Sequence, residues 1–134
     1  MNMPKVLAGA LACNRAAFGL NYLLRPQEAR TSWIGRAATL PGTQVMTRSQ
    51  GIRDVALGGG AIRALARGQE PELRAWVASQ AVCDLADLVA TYEARRRLPR
   101  DRARLAMAVA GASTLIGAAA AVGLTARADS PSRP

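Results

Sequence analysis

The fold is decided by a run of twenty uncharged residues, Leu105-Ala-Met-Ala-Val-Ala-Gly-Ala-Ser-Thr-Leu-Ile-Gly-Ala-Ala-Ala-Ala-Val-Gly-Leu124. At about 1.5 Å per residue, an α-helix of this length spans about 30 Å, the thickness of the hydrocarbon core of a bilayer. Arg104 precedes the run and Arg127 follows it, where cations anchor a spanning helix at the interface. The run therefore predicts a transmembrane helix.

Small residues recur on one side of this predicted helix. Ser113, Gly117 and Ala121 are spaced four residues apart, so they form a stripe along one face. In lipid no hydrophobic effect drives helices together, and small residues at the interface let two backbones approach closely. These three residues are predicted helix-packing positions.

Residues 6–24 form a second apolar segment, with Arg15 near its middle and Pro26 just beyond its end. Proline disfavours helix in the residue before it, so this segment ends there. A signal peptide cleaved after Ala12 is the competing interpretation. The apolar run before that site is short, and the apolar pattern continues past it, which favours a helix.

Residues 51–66 form a weaker segment that contains Gly58-Gly59-Gly60. Consecutive glycines destabilise a helix in water, but membrane helices tolerate them, and they let another backbone come close. The three glycines are therefore predicted packing positions. The alternative, a phosphate-binding loop, lacks the Lys-Ser/Thr that should follow the glycines and the strand that should precede them.

The last segment, residues 75–92, carries Asp84 and Asp87 at its centre. On an insertion scale two carboxylates cost roughly 5–7 kcal/mol, so this helix needs partners in the membrane. Between the segments, residues 27–49 predict a surface loop with a short interfacial piece at Trp33, broken at Pro41-Gly42.

Together these patterns predict an all-α fold, a four-helix transmembrane bundle with basic connecting loops. A single membrane domain is expected over residues 1–125, followed by a disordered tail over 126–134. The four predicted helices cover residues 6–24, 51–66, 75–92 and 105–124.

The positive charge is concentrated in the predicted loops. Ten of the 18 Lys and Arg residues fall within residues 25–48 and 95–104, and the net charge is +9. The positive-inside rule places both loops in the cytoplasm and both termini outside, with the basic residues near anionic lipid headgroups. Nucleic acid is not a predicted partner, because single-strand binders interleave aromatic residues with basic ones, and here aromatic residues make up 4% of the chain.

The sequence offers little for enzyme or cofactor chemistry. It contains no histidine, which excludes His-based catalytic triads and His-ligated metals. Cys13 and Cys83 lie far apart without a metal-ligand neighbour, so we interpret them as reduced thiols acting as small apolar side chains. No cofactor and no metal site is predicted.

A set of polar residues falls inside the predicted helices. Asp84 and Asp87 share one face with Gln80 and Thr91. Ionisable residues within membrane spans usually face the bundle interior and are paired or functional. The simplest pairing sets two arginines against Asp84 and Asp87 and leaves Asp54 near the membrane edge. The predicted intramembrane polar cluster comprises Arg15, Arg53, Asp54, Gln80, Asp84 and Asp87.

Three interpretations of this cluster compete. It can form buried ion pairs that fix which helices pack together. It can form a proton- or cation-linked path, in which a carboxylate alternates between charged and neutral forms. An intramembrane phosphotransferase would pair carboxylates to hold a metal, but the second carboxylate pair of such enzymes is absent.

The run Gln50-Gly-Ile-Arg-Asp-Val-Ala-Leu-Gly58, followed by Asp84, resembles small bacterial four-helix membrane proteins that are known only as a domain of unknown function. Those proteins pair a Gly-x-Arg-Asp-x-x-x-Gly segment in the second helix with an aspartate in the third. The resemblance extends over residues 6–124. It implies a four-helix membrane bundle, singles out Arg53, Asp54 and Asp84 as the residues of interest, and implies no activity.

We therefore expect a non-enzymatic, multi-pass protein of the plasma membrane that acts as an accessory or scaffold component. Its partners would be the lipid bilayer and either a second copy of the chain or another membrane protein. The first alternative is a small proton- or cation-coupled transporter that uses the Arg/Asp cluster. The second is a soluble helical bundle that binds an anionic partner, in which the polar stripe of residues 80–91 is simply a solvated face.

Overall fold

A computed structural model describes residues 3–128, and the side chains of residues 3–124. The described residues form helices and no strand, so the all-α prediction is confirmed for this part of the chain. A 3₁₀ segment, Gly35–Thr39, follows the second helix. The five α-helices are α1 (Met3–Leu24), α2 (Pro26–Ile34), α3 (Pro41–Ala66), α4 (Glu70–Ala94) and α5 (Arg100–Ala128).

Prolines lie at the starts of α2, α3 and α4, as Pro4 does in α1. Pro26 and Pro41 lie in the first turns of α2 and α3, and Pro71 lies in the first turn of α4. Proline suits that position because the backbone N–H there has no intrahelical acceptor and the φ of proline is already helical. The prediction that residues 27–49 form a loop broken at Pro41 is therefore wrong, since this stretch contains α2, the 3₁₀ segment and the start of α3.

The predicted tail also needs a correction. Helix α5 reaches Ala128, so residues 126–128 are helical and not disordered. The rest of the predicted tail, 129–134, lies outside the described residues.

The long helices run antiparallel to their neighbours. Gly9 of α1 faces Leu65 near the end of α3, and Pro4 at the start of α1 lies against Gly123 near the end of α5. Lys5 forms an ion pair with Glu70, which begins α4. The start of α1, the α3–α4 turn and the end of α5 therefore meet at one end of the molecule.

The other end collects the arginine-rich segments and is called the basic end. It comprises the end of α1, α2, the 3₁₀ segment, the start of α3 and the α4–α5 connection. Arg102 near the start of α5 donates a hydrogen bond to the carbonyl of Thr31 in α2, and Arg48 of α3 donates to the carbonyl of Leu23 in α1. Two separate arginine-rich stretches of sequence thus form one surface.

Glycines bring α1 and α3 into backbone contact. A Cβ added to Gly51 would lie 2.8 Å from the carbonyl oxygen of Gly19, and one added to Gly58 would lie 2.6 Å from the carbonyl oxygen of Ala12. Gly51 and Gly58 are seven residues apart and so share one face of α3. This close approach is the type of packing that small residues permit between membrane helices.

The other predicted packing positions differ in what they contact. Gly60 lies under the ring of Trp76, and Gly117 of α5 lies against Ala81 of α4. Gly59 was wrongly predicted as a packing position. It lies one residue, or about 100° of helix rotation, from its neighbours, so it faces outward, and a Cβ added there would meet no other part of the protein within 4 Å.

The interior is built mainly from small side chains. Its largest fully buried residues are Leu73, Val77 and Thr47, whereas water-soluble cores rely on bulkier groups. Ser113 lines a cavity described below, and Ala121 packs against the core. The buried alanines are Ala8, Ala12, Ala38, Ala61, Ala64, Ala81, Ala103, Ala106, Ala110 and Ala120.

One helix of the described residues, over Arg100–Leu124, is long and apolar enough to cross a membrane. Only 22% of its most apolar part is buried inside the protein. Four spans were predicted, but among the described helices only α5 has the length and composition of a membrane span. Helices α3 and α4 carry ionisable residues well inside their lengths, which lowers their apolar character.

Candidate functional site

The helices place the predicted polar residues on their inward faces. In α3, Asp54 falls three residues after Gly51 and four before Gly58, so it shares the face that touches α1. In α1, Arg15 falls between the backbone contacts at Ala12 and Gly19. The two charged side chains therefore meet where the backbones of α1 and α3 are closest.

Arg15 is the centre of a buried ion network. Its Nη1 donates to Oδ1 of Asp54 at 3.0 Å, and its Nη2 donates to Oδ1 of Asp84. The same Nη2 lies 3.5 Å from the carbonyl oxygen of Gln80. One guanidinium thus joins α1, α3 and α4, in a part of the molecule where Asp54 is only 5% exposed.

A second arginine extends the network towards the basic end. Arg53 donates from Nη2 to Oδ2 of Asp87 at 3.2 Å, and its Nε lies 3.3 Å from Oδ1 of Asp54. Gln50, one turn earlier in α3, donates from Nε2 to Oδ2 of Asp87 at 3.1 Å. Two cations and three carboxylates therefore form one connected set, with Asp54 shared between both arginines.

This arrangement differs from the pairing that the sequence predicted. Asp54 was predicted to lie near the membrane edge, outside the Arg–Asp ion pairs, but it belongs to the network. It is the most buried of the three carboxylates and bonds to both arginines. Spacing along a single helix gives the face of a residue, but the level at which two helices meet depends on their relative register, which is fixed here by the glycine contacts of α1 and α3.

The polar stripe of α4 faces the interior. Gln80 is 3% exposed and donates from Nε2 to the carbonyl of Leu57 at 3.2 Å. Thr91 is also buried and donates back to the carbonyl of Asp87. The interpretation of this stripe as a solvated face is therefore wrong, because the stripe supplies the partners for charges on α1 and α3.

A cavity of about 100 Å³ opens beside the network. Its lining combines Arg15 and Asp84 of the network with residues of α1 and α5 that include Phe18, Val109 and Ser113. A cavity lined by both charged and apolar groups can accommodate water or a small polar group. Within the described residues, no group of three Cys, Asp or Glu side chains is arranged to hold a metal ion.

Several residues near the network were not predicted as site residues. Gln50 lies three residues before Arg53, hence on a nearby face of α3, and this spacing could have shown it. Arg30 and Trp33 were missed because residues 27–49 were predicted to be a loop. Tyr22, inside the predicted helix 6–24, was missed because nothing in its own segment marks it as their partner. Their convergence depends on α2 folding back over the end of the bundle.

Comparison with known proteins adds no assignment: no family model, no curated protein and no solved structure matches this chain.

Proposed function

We propose that this chain is a four-span integral membrane protein of the plasma membrane, with a non-enzymatic role as an accessory or scaffold component. The main support for the proposal is that the distribution of polar and apolar side chains is the reverse of that in a water-soluble protein. The ion network lies inside, among alanines and glycines, while large apolar side chains point outward. In lipid this arrangement is favourable, because apolar side chains face the acyl chains and charges find their partners within the bundle.

The outward apolar surface extends over all four long helices. Large apolar patches on a water-soluble monomer are uncommon and mark partner or membrane contacts. Leu115 on α5 is 73% exposed, although it lies in the middle of that helix. Other exposed members are Val6, Phe18, Leu20, Val45, Met46, Ile52, Ile62, Val82, Leu85, Val89, Leu105, Val109, Ile116 and Val122.

The ion network supports a packing role. Each guanidinium is bonded to one carboxylate on α3 and one on α4, so the network favours a single pairing of these helices. Buried polar groups of this kind can set register between helices. The arginines of the basic end support cytoplasmic placement of that end, near anionic headgroups.

The cavity beside Asp84 favours a second candidate, a small proton- or cation-coupled transporter. The variant Asp84→Asn with Asp87→Asn separates the two functions. Under the packing role, the amount of folded protein in the membrane falls, because both arginines lose charged partners. Under the transport role, the protein persists at normal amount and proton- or cation-linked flux into proteoliposomes is lost.

The family resemblance remains part of this proposal. Its motif residues Arg53, Asp54 and Asp84 all belong to the same ion network, and Gly51 supports the contact that places them there. A soluble bundle with an anionic partner would require the apolar outer surface to be covered by that partner.

Membrane integration is tested first by washing membranes with alkaline carbonate. The expected result is that the protein stays in the pellet and dissolves only in detergent. Recovery in the supernatant would refute the membrane proposal and leave α5 as an ordinary helix with an exposed apolar face.

Cysteine labelling then tests topology. Cys13 points outward from the middle of α1, so in a Cys83→Ala background it should react with a charged maleimide only after denaturation in SDS. Gln69→Cys and Arg96→Cys, at exposed positions in opposite turns, serve as controls. Intact cells should label position 69, and inverted vesicles should label position 96. Rapid labelling of Cys13 in native membranes would contradict the proposed spans.

A further inference from the structure

Arg30 of α2 has a guanidinium that aromatic rings hold in place. Its Cζ lies 4.7 Å from the ring centroid of Tyr22 and 5.2 Å from that of Trp33. Cation–π contacts of this kind orient a guanidinium without using its N–H donors. The Nε of Arg30 is buried and has no hydrogen-bond acceptor among the described residues.

This guanidinium faces a groove between α2, α3 and α4 with a volume of about 520 Å³. Arg53 also lines the groove, and so does Asp87, whose Oδ2 already accepts from Arg53 and Gln50. Unlike Arg53, Arg30 forms no ion pair with a carboxylate among the described residues. The other lining residues are Ile34, Thr43, Met46, Thr47, Ser49 and Gln50.

The composition of the groove matches an amphipathic anion. Arginine is well suited to bind phosphate because its planar fork can donate two parallel hydrogen bonds. Thr43 and Ser49 add hydroxyl groups beside it, while Ile34 and Met46 form an apolar wall. Met46 continues onto the outward apolar surface, and the groove belongs to the basic end, where the headgroup region would lie.

We propose that this groove binds a membrane phospholipid, with the phosphate on Arg30 and an acyl chain along Ile34 and Met46. The inference rests on the proposed membrane function and deepens it by naming the lipid chemistry and the residue that recognises it. A free phosphate would use the guanidinium but would leave the apolar wall uncovered, which favours a lipid as the occupant.

Trp33 reports on occupancy because it stacks on Arg30. The full chain with Trp76→Phe is purified in detergent and titrated with phosphatidylglycerol brominated in its acyl chains, which quenches tryptophan fluorescence on contact. Diacylglycerol with the same brominated chains lacks the phosphate and is the reference. Phosphatidylglycerol is expected to bind about tenfold more tightly than diacylglycerol, since one charge-assisted hydrogen bond contributes about that factor.

Arg30→Gln is expected to remove this tenfold preference. Arg36→Gln is the matched control, because Arg36 is exposed, lies close by in the 3₁₀ segment and does not line the groove. Arg30→Lys keeps a cation without the planar fork, so it should retain a reduced preference, and it replaces Arg30→Gln in the comparison if that variant does not fold.

Three results would overturn the inference. An unchanged preference in both Arg30 variants would exclude the residue as the phosphate ligand, and an equal loss in Arg36→Gln would indicate general surface charge. Relief of quenching by inorganic phosphate at concentrations comparable to those of the lipid would identify a free-anion site. Release of the protein from membranes by carbonate would refute the proposed membrane function. If the protein stays in the membrane but Arg30→Gln keeps the preference for phosphatidylglycerol, only the lipid-binding inference is refuted.

Discussion

Replacing Arg15 with methionine tests whether the ion network determines stability. Methionine matches the aliphatic part of the arginine side chain and has no charge, so the substitution leaves Asp54 without its α1 partner and Asp84 without its ion pair. Removing one partner of a buried ion pair costs about 3–5 kcal/mol. Two charge-assisted hydrogen bonds at about 1.5–3 kcal/mol each give a similar total. We therefore expect the free energy of unfolding to fall by about 3–5 kcal/mol.

The assay is unfolding of the detergent-solubilised protein by SDS, followed by far-UV circular dichroism. Arg63→Gln is the matched control, since Arg63 faces Glu72 at 3.7 Å with both side chains about half exposed. Exposed pairs contribute about 0–1 kcal/mol, so this variant should unfold almost like the parent.

A double-mutant cycle refines the test. Asp84→Leu combined with Arg15→Met removes one charge of each sign, so the double variant should be more stable than the sum of the single losses implies. Residues in one ion network typically couple by about 0.5–3 kcal/mol. A loss below about 1 kcal/mol for Arg15→Met would refute the reasoning, because exposed pairs already account for that amount. So would strict additivity in the cycle.

Two further experiments test other parts of the structure. Gly58→Ala should destabilise the protein by about 1–3 kcal/mol, because its Cβ would meet the carbonyl of Ala12, whereas Gly59→Ala, with open space around it, should cost nothing. Equal unfolding midpoints in SDS for the two variants would contradict the α1–α3 contact. Replacing arginines 95–97 with glutamine should produce a mixture of orientations, because it weakens the positive charge of the basic end. Maleimide labelling of position 69 from both sides would show that mixture, and a single retained orientation would indicate that the other arginines suffice.

The sequence could predict the faces of the helices but not how the helices meet. Asp84 and Asp87 are placed on one side of α4 by helical spacing alone, and Arg15 is conspicuous as a charge within an apolar segment. The sharing of Asp54 between two arginines could not be derived in this way. It depends on the axial register of α1 against α3, which is set by backbone contacts at Gly19, Gly51 and Gly58.

Proline was the main source of error in the predicted boundaries. Pro41-Gly42 reads as a break between segments, yet Pro41 begins a helix of 26 residues. Proline marks both helix starts and loops, and no local pattern in residues 27–49 separated these two meanings. This error affected the site, because Arg30 and Trp33 were assigned to a loop and the contact between the Arg30 guanidinium and the Trp33 ring could not be predicted.

For a chain that spans the membrane as proposed, the ion network implies an order of assembly. If the helices enter the bilayer in chain order, Arg15 of α1 is inserted before either of its carboxylate partners. Helix α3 then delivers Asp54, and α4 completes the pairing with Asp84. Helix α5 contributes no charge to the network and contacts α4 where Gly117 meets Ala81. Until α4 is in place, Arg15 therefore has Asp54 but not Asp84 as a partner.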